Sequence, residues 1–115
     1  MSLDKLLMER FKVRTRAVEN PKAITAASTT AQLILGINPN RLAFTITNLG
    51  AEECYVGLTN KVSTTRGIRL DGGGGFFICI WDEDFQMTGW AWWIIAEEGT
   101  PAVFSLEVVE YGREL

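Results

Sequence analysis

The spacing of apolar residues changes once along the chain, near residue 20. In "MSLDKLLMERFKVRTR", residues 1–16, the long side chains recur near the helical spacings i, i+3, i+4 and i+7, namely Leu3, Leu6, Leu7, Arg10 and Phe11. Ser2 precedes the first of them and is a preferred N-cap residue. Neither glycine nor proline occurs before Asn20-Pro21, which ends the helix or the turn after it. The pattern predicts an N-terminal helical arm over residues 1–20.

From Lys22 onward the period is two. "RLAFTITN" places Leu42, Phe44 and Ile46 on one face and smaller or polar residues on the other. Turn residues separate this segment from other short runs of strand type, which are "AITAAS", "AQLILGI", "ECYVGL", "GIRL", "FFICIW", "GWAWWIIA" and "PAVFSLEVVEYG". Seven or eight strands of this kind predict an all-β domain over residues 21–115. We expect an antiparallel β-sandwich, jelly-roll-like or barrel-like, with a short N-terminal helix.

Two of these runs, "FFICIW" and "GWAWWIIA", are apolar on both faces, whereas a strand of a sandwich normally buries only one face. If the alternation places Phe76, Ile78 and Ile80 in the core together with Trp90, Trp92 and Ile94, four large side chains face outward. These are Phe77, Trp81, Trp93 and Ile95. Burial of each stabilises a protein by about 1.5–3 kcal/mol, so a bare patch of this size is unfavourable. We expect the arm, a neighbouring subunit or a ligand to cover it.

Composition narrows the class of protein. A chain of 115 residues with 47% hydrophobic and 22% charged residues fits one globular domain. Its apolar runs are shorter than the ~20 residues of a membrane helix, and the N-terminus does not resemble a signal peptide. The sequence therefore predicts synthesis in the cytoplasm and no membrane contact. Cys54 and Cys79 lie in strand-like runs, which favours buried free thiols over a disulfide.

The formal net charge of -3 conceals an uneven distribution. Residues 1–22 contain six basic and three acidic residues, and the rest of the chain contains five basic and eleven acidic residues. A basic arm on an acidic body favours docking on an acidic protein surface, including that of another copy. The docking residues we expect are Arg10, Lys12, Arg14 and Arg16. Nucleic acid is disfavoured, because the positive excess is small and no aromatic platform accompanies it.

Residues 71–85, "DGGGGFFICIWDEDF", resemble a ligand site at first inspection. A phosphate-binding loop needs Lys and Ser or Thr followed by a helix, whereas a strand-like run follows these glycines, so a turn is predicted. Asp82 and Asp84 have a spacing that suits a cation, but a calcium loop needs more ligands, and a solvated hairpin tip is favoured. Without any histidine, no Ser-His or Cys-His pair exists. We expect a non-enzymatic protein without a cofactor.

The tryptophans allow an alternative. Trp90 and Trp92, with Asp82 and Asp84 nearby, could form a platform on which sugar rings stack. Tryptophan crowding in a small β-domain is more often part of a core or an interface. A carbohydrate-binding module for host attachment, with a glycan as partner, is therefore the second hypothesis.

The order "NPNRLAFTITNLG…CYVGL…GIRLDGGGGFF…GWAWWIIAEEGTPAVFSLEVVEYG", about residues 38–110, resembles small β-sandwich proteins encoded among the structural genes of tailed bacteriophages and proviruses. The resemblance is one of turns and strands, and it implies a head decoration, head fibre or tail-associated role. It implies synthesis in the host cytoplasm, incorporation into the virion and contact with other virion proteins. The double-faced strands and basic arm favour a homo-oligomer. The contact residues we expect are Leu6, Leu7, Phe11, Phe77, Trp81, Trp93 and Ile95.

Overall fold

The computed structural model describes residues 2–20 and 30–113 of the chain. Two α-helices lie in this part: α1 (Leu3–Phe11) and α2 (Trp81–Asp84), the second followed by a 3-10 helix (Phe85–Gly89). The strands are β1 (Val13–Asn20), β2 (Gln32–Leu35), β3 (Arg41–Asn48), β4 (Cys54–Gly57), β5 (Ile68–Leu70), β6 (Phe76–Ile80), β7 (Trp92–Ala96) and β8 (Val103–Arg113). The predicted strand "AITAAS" lies outside the described residues.

The eight strands form two antiparallel sheets of four, in the orders β1-β8-β3-β6 and β2-β7-β4-β5. Each strand of the first half pairs with its counterpart in the second half: β1 with β8, β2 with β7, β3 with β6 and β4 with β5. The chain is thus one long hairpin rolled over itself, which is the jelly-roll arrangement. The predicted sandwich is confirmed, in its jelly-roll form. No ladder joins the two sheets within the described residues, so the barrel alternative is wrong.

The core lies between the two sheets, where inward residues alternate with outward ones as the pleat requires. β3 contributes Phe44 and Ile46, and β7 contributes Trp92 and Ile94, all at most 2% exposed. The rings of Phe44, Trp92 and the half-buried Phe77 contact one another, with centroids 5.2–5.9 Å apart. Trp92 therefore belongs to the core, as the alternation predicted.

The N-terminal helix is shorter than predicted. Ser2 caps it as expected, with its Oγ accepting from the backbone N–H of Lys5 at 3.2 Å. Lys12 then takes a left-handed conformation with φ of 58°, and its N–H donates to the carbonyl of Met8, which ends α1 at Phe11. Residues 13–20 form β1 beside β8. The prediction of a helical arm over residues 1–20 is thus wrong beyond Phe11. The helical spacing ends at that residue, and the backbone of residues 13–20 pairs with β8.

The predicted faces of β6 are reversed. β3 buries Phe44 and Ile46, and their direct partners on β6 are Cys79 and Phe77, which therefore face the core. The outward residues are Phe76, Ile78 and Ile80, which are 63%, 48% and 37% exposed. Phe77 packs on the core instead of facing outward as predicted. Because both sets are apolar, hydrophobicity alone does not distinguish the two registers.

Both cysteines are free and fully buried, as predicted. Burial, with the nearby charges of Glu52 and Glu53, raises the pKa of the Cys54 thiol to about 11. Burial also raises the pKa of Cys79. Because the thiolate is the reactive form, we expect iodoacetamide at about pH 8 to label the folded chain at least ~100-fold more slowly than the denatured chain. Mass spectrometry of the time course measures this, and rapid native labelling of Cys54 would contradict its burial.

Candidate docking surfaces

The four glycines of residues 72–75 form a turn between β5 and β6, as predicted. Three of their N–H groups are used internally: Gly73 donates to Gly50 O at 2.7 Å, Gly74 to Asn48 O at 2.8 Å and Gly75 to Asp71 O at 3.0 Å. Gly73 and Gly74 have φ of 78° and 118°, values that favour glycine. With these N–H groups directed at the protein's own carbonyls, the turn is not a phosphate cradle.

The first sheet carries an apolar surface on its solvent side, which we call the outer face. β6 contributes Phe76, Ile78 and Ile80, and β8 contributes Phe104, Leu106 and Val108. All except the half-buried Phe104 are between 37% and 63% exposed.

The residues of the outer face lie in rows across three hydrogen-bonded strands. Ile78, Thr45 and Leu106 form the middle row, and Ile80, Ala43 and Val108 form a neighbouring one. The middle strand β3 thus adds only small side chains between two apolar strands. A sheet face of this kind can pack against another sheet at about 10 Å.

A second apolar surface lies at the end of the sandwich where β3 begins. It is a cleft of about 630 Å³, lined by Ile37, Leu42, Trp81, Phe85, Gln86 and Trp90 among others. We call it the aromatic cleft. The rings of Trp81, Phe85 and Trp90 are 51%, 77% and 47% exposed. Three exposed rings around one opening are rare on a small domain and indicate a binding surface.

Arg41 connects the segments that surround the aromatic cleft. A bulge between Arg41 and Ala43 turns this side chain inward, where it is 3% exposed. Its Nε forms an ion pair with Glu107 Oε1 at 2.5 Å. Its terminal nitrogens donate to the carbonyls of Gly36 at 2.9 Å and Trp90 at 3.2 Å. One guanidinium thus joins β8, the β2–β3 loop and the segment that carries Trp90.

Phe85 occupies a strained position in the wall of the cleft. Its φ of 57° with ψ of -133° is a conformation that glycine adopts readily and a side chain with Cβ does not. The ring is nevertheless 77% exposed, so burial in the single chain does not offset the strain. Strained residues of this kind cluster at functional sites, so Phe85 is a candidate contact residue.

The acidic residues of α2 are neighbours in the chain of Trp81 and Phe85, which line the aromatic cleft. Asp82 and Glu83 are exposed and lie between Trp81 and Phe85 in the chain. Asp84 is half-buried, and its Oδ2 accepts from the backbone N–H of Ile80 at 2.8 Å. The hairpin tip predicted here is a short helix, with one carboxylate occupied by the backbone and two facing solvent.

The predicted sugar platform is only partly assembled. Trp90 is exposed in the aromatic cleft, but Trp92 is 2% exposed and its Nε1 donates to Met87 O at 3.0 Å. Trp92 is therefore inaccessible to a ligand, because β7 directs alternate side chains to opposite faces. Sequence reasoning missed Phe85, whose conformation is a backbone property, and Arg41, whose burial depends on the bulge.

The remaining predicted contact residues lie on three surfaces. On α1, Leu6 and Phe11 are exposed and Leu7 is half-buried. Trp93 and Ile95 are half-buried on the outer side of the second sheet, away from Trp81. The predicted docking residues of the arm are all exposed: Arg10 and Lys12 at the end of α1, Arg14 and Arg16 on β1. The structure thus separates residues that the sequence grouped together.

Within residues 2–20 and 30–113 no group of three or more His, Cys, Asp or Glu side chains is placed to hold a metal ion. Neither helix in that part of the chain has the length and apolar character needed to cross a bilayer. Comparisons of the chain with protein-family models, with curated proteins and with solved structures each found no match.

Proposed function

We propose that the chain is a non-enzymatic structural component of a phage or provirus particle, acting by homo-oligomerisation and by docking on other virion proteins. The observation that carries this proposal is the outer face, whose residues Ile78 and Leu106 are 48% and 40% exposed at its centre. Apolar side chains arranged in rows on a sheet face are suited to packing against a second sheet. The jelly roll supports the proposal only by analogy, since viral capsid domains use it among several classes.

Two substitutions on the outer face test the proposal. In Ile78→Lys and Leu106→Lys a charge replaces an apolar side chain in the middle row, where a packed partner would have to desolvate it. We expect association to weaken at least ~100-fold, measured as the absolute mass of the full-length chain by light scattering over a concentration series. Leu49→Lys is the matched control, because Leu49 is 60% exposed but lies in the β3–β4 turn. A wild-type chain that stays monomeric at every concentration would contradict the proposal.

A carbohydrate-binding module is the second candidate, favoured by the exposed rings of Trp81, Phe85 and Trp90. The lining of the cleft argues against this candidate, because a sugar needs polar partners and the lining offers the Gln86 side chain but few others. The Arg41 guanidinium also lines the cleft, but it is already bonded to Glu107 and Gly36. A glycan array with tryptophan fluorescence as readout tests it. Binding that Trp90→Ala removes, together with an unchanged mass in Ile78→Lys, would favour this candidate over assembly.

A further inference from the structure

Helix α1 has an apolar side that the described residues of its own chain leave uncovered. Leu3 and Phe11 are 69% and 54% exposed, and Leu6 is 37% exposed. An isolated helix of nine residues is marginal in water and normally depends on tertiary packing of its apolar side. Here that packing comes mainly from β1, the strand that follows it. The helix is therefore formed but incompletely packed in a single copy.

The aromatic cleft has the complementary properties. It presents the rings of Trp81, Phe85 and Trp90 to solvent, whereas α1 presents Leu3, Leu6 and Phe11. The charges are also complementary, because Arg10 and Lys12 of α1 are exposed, as are Asp82 and Glu83, which lie in the chain between the lining residues Trp81 and Phe85. An amphipathic helix laid in an apolar groove is a common mode of protein recognition.

We propose that α1 of a second copy docks in the aromatic cleft, with its apolar side on the three rings and its basic residues near the carboxylates of α2. This inference rests on the proposed homo-oligomerisation and adds to it a contact separate from the outer face. An apolar helix explains the scarcity of free polar groups in the cleft better than a sugar does.

The position of α1 allows the exchange to be reciprocal. The pairing of β1 with β8 continues to Val13 and Arg113, beyond the point where Arg41 pairs with Val109. The helix that precedes Val13 and the cleft that contains Arg41 therefore lie at the same end of the jelly roll. In a two-fold dimer formed through this end, each copy can supply its helix to the other's cleft.

The connection of α1 disfavours docking in its own cleft. α1 is held to β1 by the cap at Lys12, and β1 and β6 are the opposite edges of the first sheet. Three strand spacings separate these edges, about 14 Å. The aromatic cleft is built partly by α2, which follows β6. Helix α1 of the same chain therefore lies at the opposite edge of the sheet from its own cleft.

Charge reversal on the two partners gives the first test. One full-length variant carries Arg10→Glu and Lys12→Glu, which makes the helix acidic; a second carries Asp82→Lys and Glu83→Lys, which makes α2 basic. We expect each variant alone to associate at least ~10-fold more weakly than the wild type, because like charges then meet. Mixed in equal amounts, they should form a heterodimer, since both helix–cleft contacts regain opposite charges. Analytical ultracentrifugation with one partner labelled measures this.

Phe85→Gly gives a second test that does not depend on charge. Glycine removes the ring and relieves the strain at φ of 57°, so the melting temperature should be unchanged or higher. We expect helix–cleft association to weaken at least ~100-fold, because a central aromatic contact is lost. Ile37→Gly, a substitution at another exposed cleft residue, shows how much of the effect belongs to the strained ring.

The outcomes separate this inference from the proposed function. If the charge-reversed variants fail to form a heterodimer and Phe85→Gly keeps its mass, the helix–cleft contact is wrong, whether or not Ile78→Lys dissociates the assembly. If Ile78→Lys dissociates it in that case, homo-oligomerisation through the outer face still stands. Glycan binding lost in Phe85→Gly at unchanged mass would assign the cleft to sugar and overturn the inference.

Discussion

Arg41→Met should lower the free energy of unfolding by about 3–5 kcal/mol, because it removes the guanidinium that forms an ion pair with the buried carboxylate of Glu107. The Arg41 side chain is 3% exposed and that of Glu107 is 10% exposed, so solvent does little to replace the lost ion pair. Urea unfolding followed by tryptophan fluorescence measures the change. The Trp90 signal should also shift, because the carbonyl of Trp90 loses its donor.

The double variant Arg41→Met/Glu107→Leu is the control for this prediction. Replacing both charges with apolar groups of similar volume removes the buried carboxylate that had lost Arg41, and most of the lost stability should return. We expect a residual loss of about 1–2 kcal/mol, since the carbonyls of Gly36 and Trp90 still lack their donor. A double variant as unstable as Arg41→Met would mean that the carbonyl bonds dominate over the ion pair.

Asn48→Ala is the second substitution with a large expected effect, a loss of roughly 3 kcal/mol or more. Asn48 is fully buried at the end of β3. Its Nδ2 donates to the carbonyls of Glu52 at 2.7 Å and Leu70 at 3.1 Å, and its Oδ1 accepts from the N–H of Gly50 at 3.0 Å. Each buried partner left unsatisfied costs about 1–3 kcal/mol.

The same substitution at an exposed site provides the comparison for Asn48. Asn60→Ala removes an amide from an exposed turn, and we expect a change within about 0.5 kcal/mol. Thermal unfolding of both variants by calorimetry measures the difference. Equal melting temperatures would show that water replaces the three bonds of Asn48, contrary to its burial.

Local patterns predicted most of the fold. Short runs of strand type located β2 to β8, and turn residues located the boundaries between them. The cap at Ser2 was also predictable, because it depends on residues three positions apart. β1 was not, because the helical prediction from residues 3–11 was extended over it and its partner β8 lies at the other end of the chain. Backbone pairing over that distance leaves no signal in the strand itself.

The docking surfaces were less predictable than the fold. The excess of apolar residues in "FFICIW" correctly indicated a large outward-facing patch, but the identity of its residues depends on the register between β3 and β6. Arg41 had the appearance of a solvated residue at the start of a strand, and a single bulge buried it. The aromatic cleft joins residues from two separate segments, 37–42 and 81–90, so only the assembled structure brings them together.

The rolled-hairpin pairing has a consequence for the order of folding. β4 and β5 are close in sequence, whereas Val13 and its partner Arg113 are 100 positions apart. Closing a long loop costs entropy that only the final contacts recover, so folding should begin at the centre of the chain and end with β1. Helix α1 precedes β1, and it is therefore positioned only in the last step. In a newly made copy, β1 would pair with β8 before α1 could dock on a second copy.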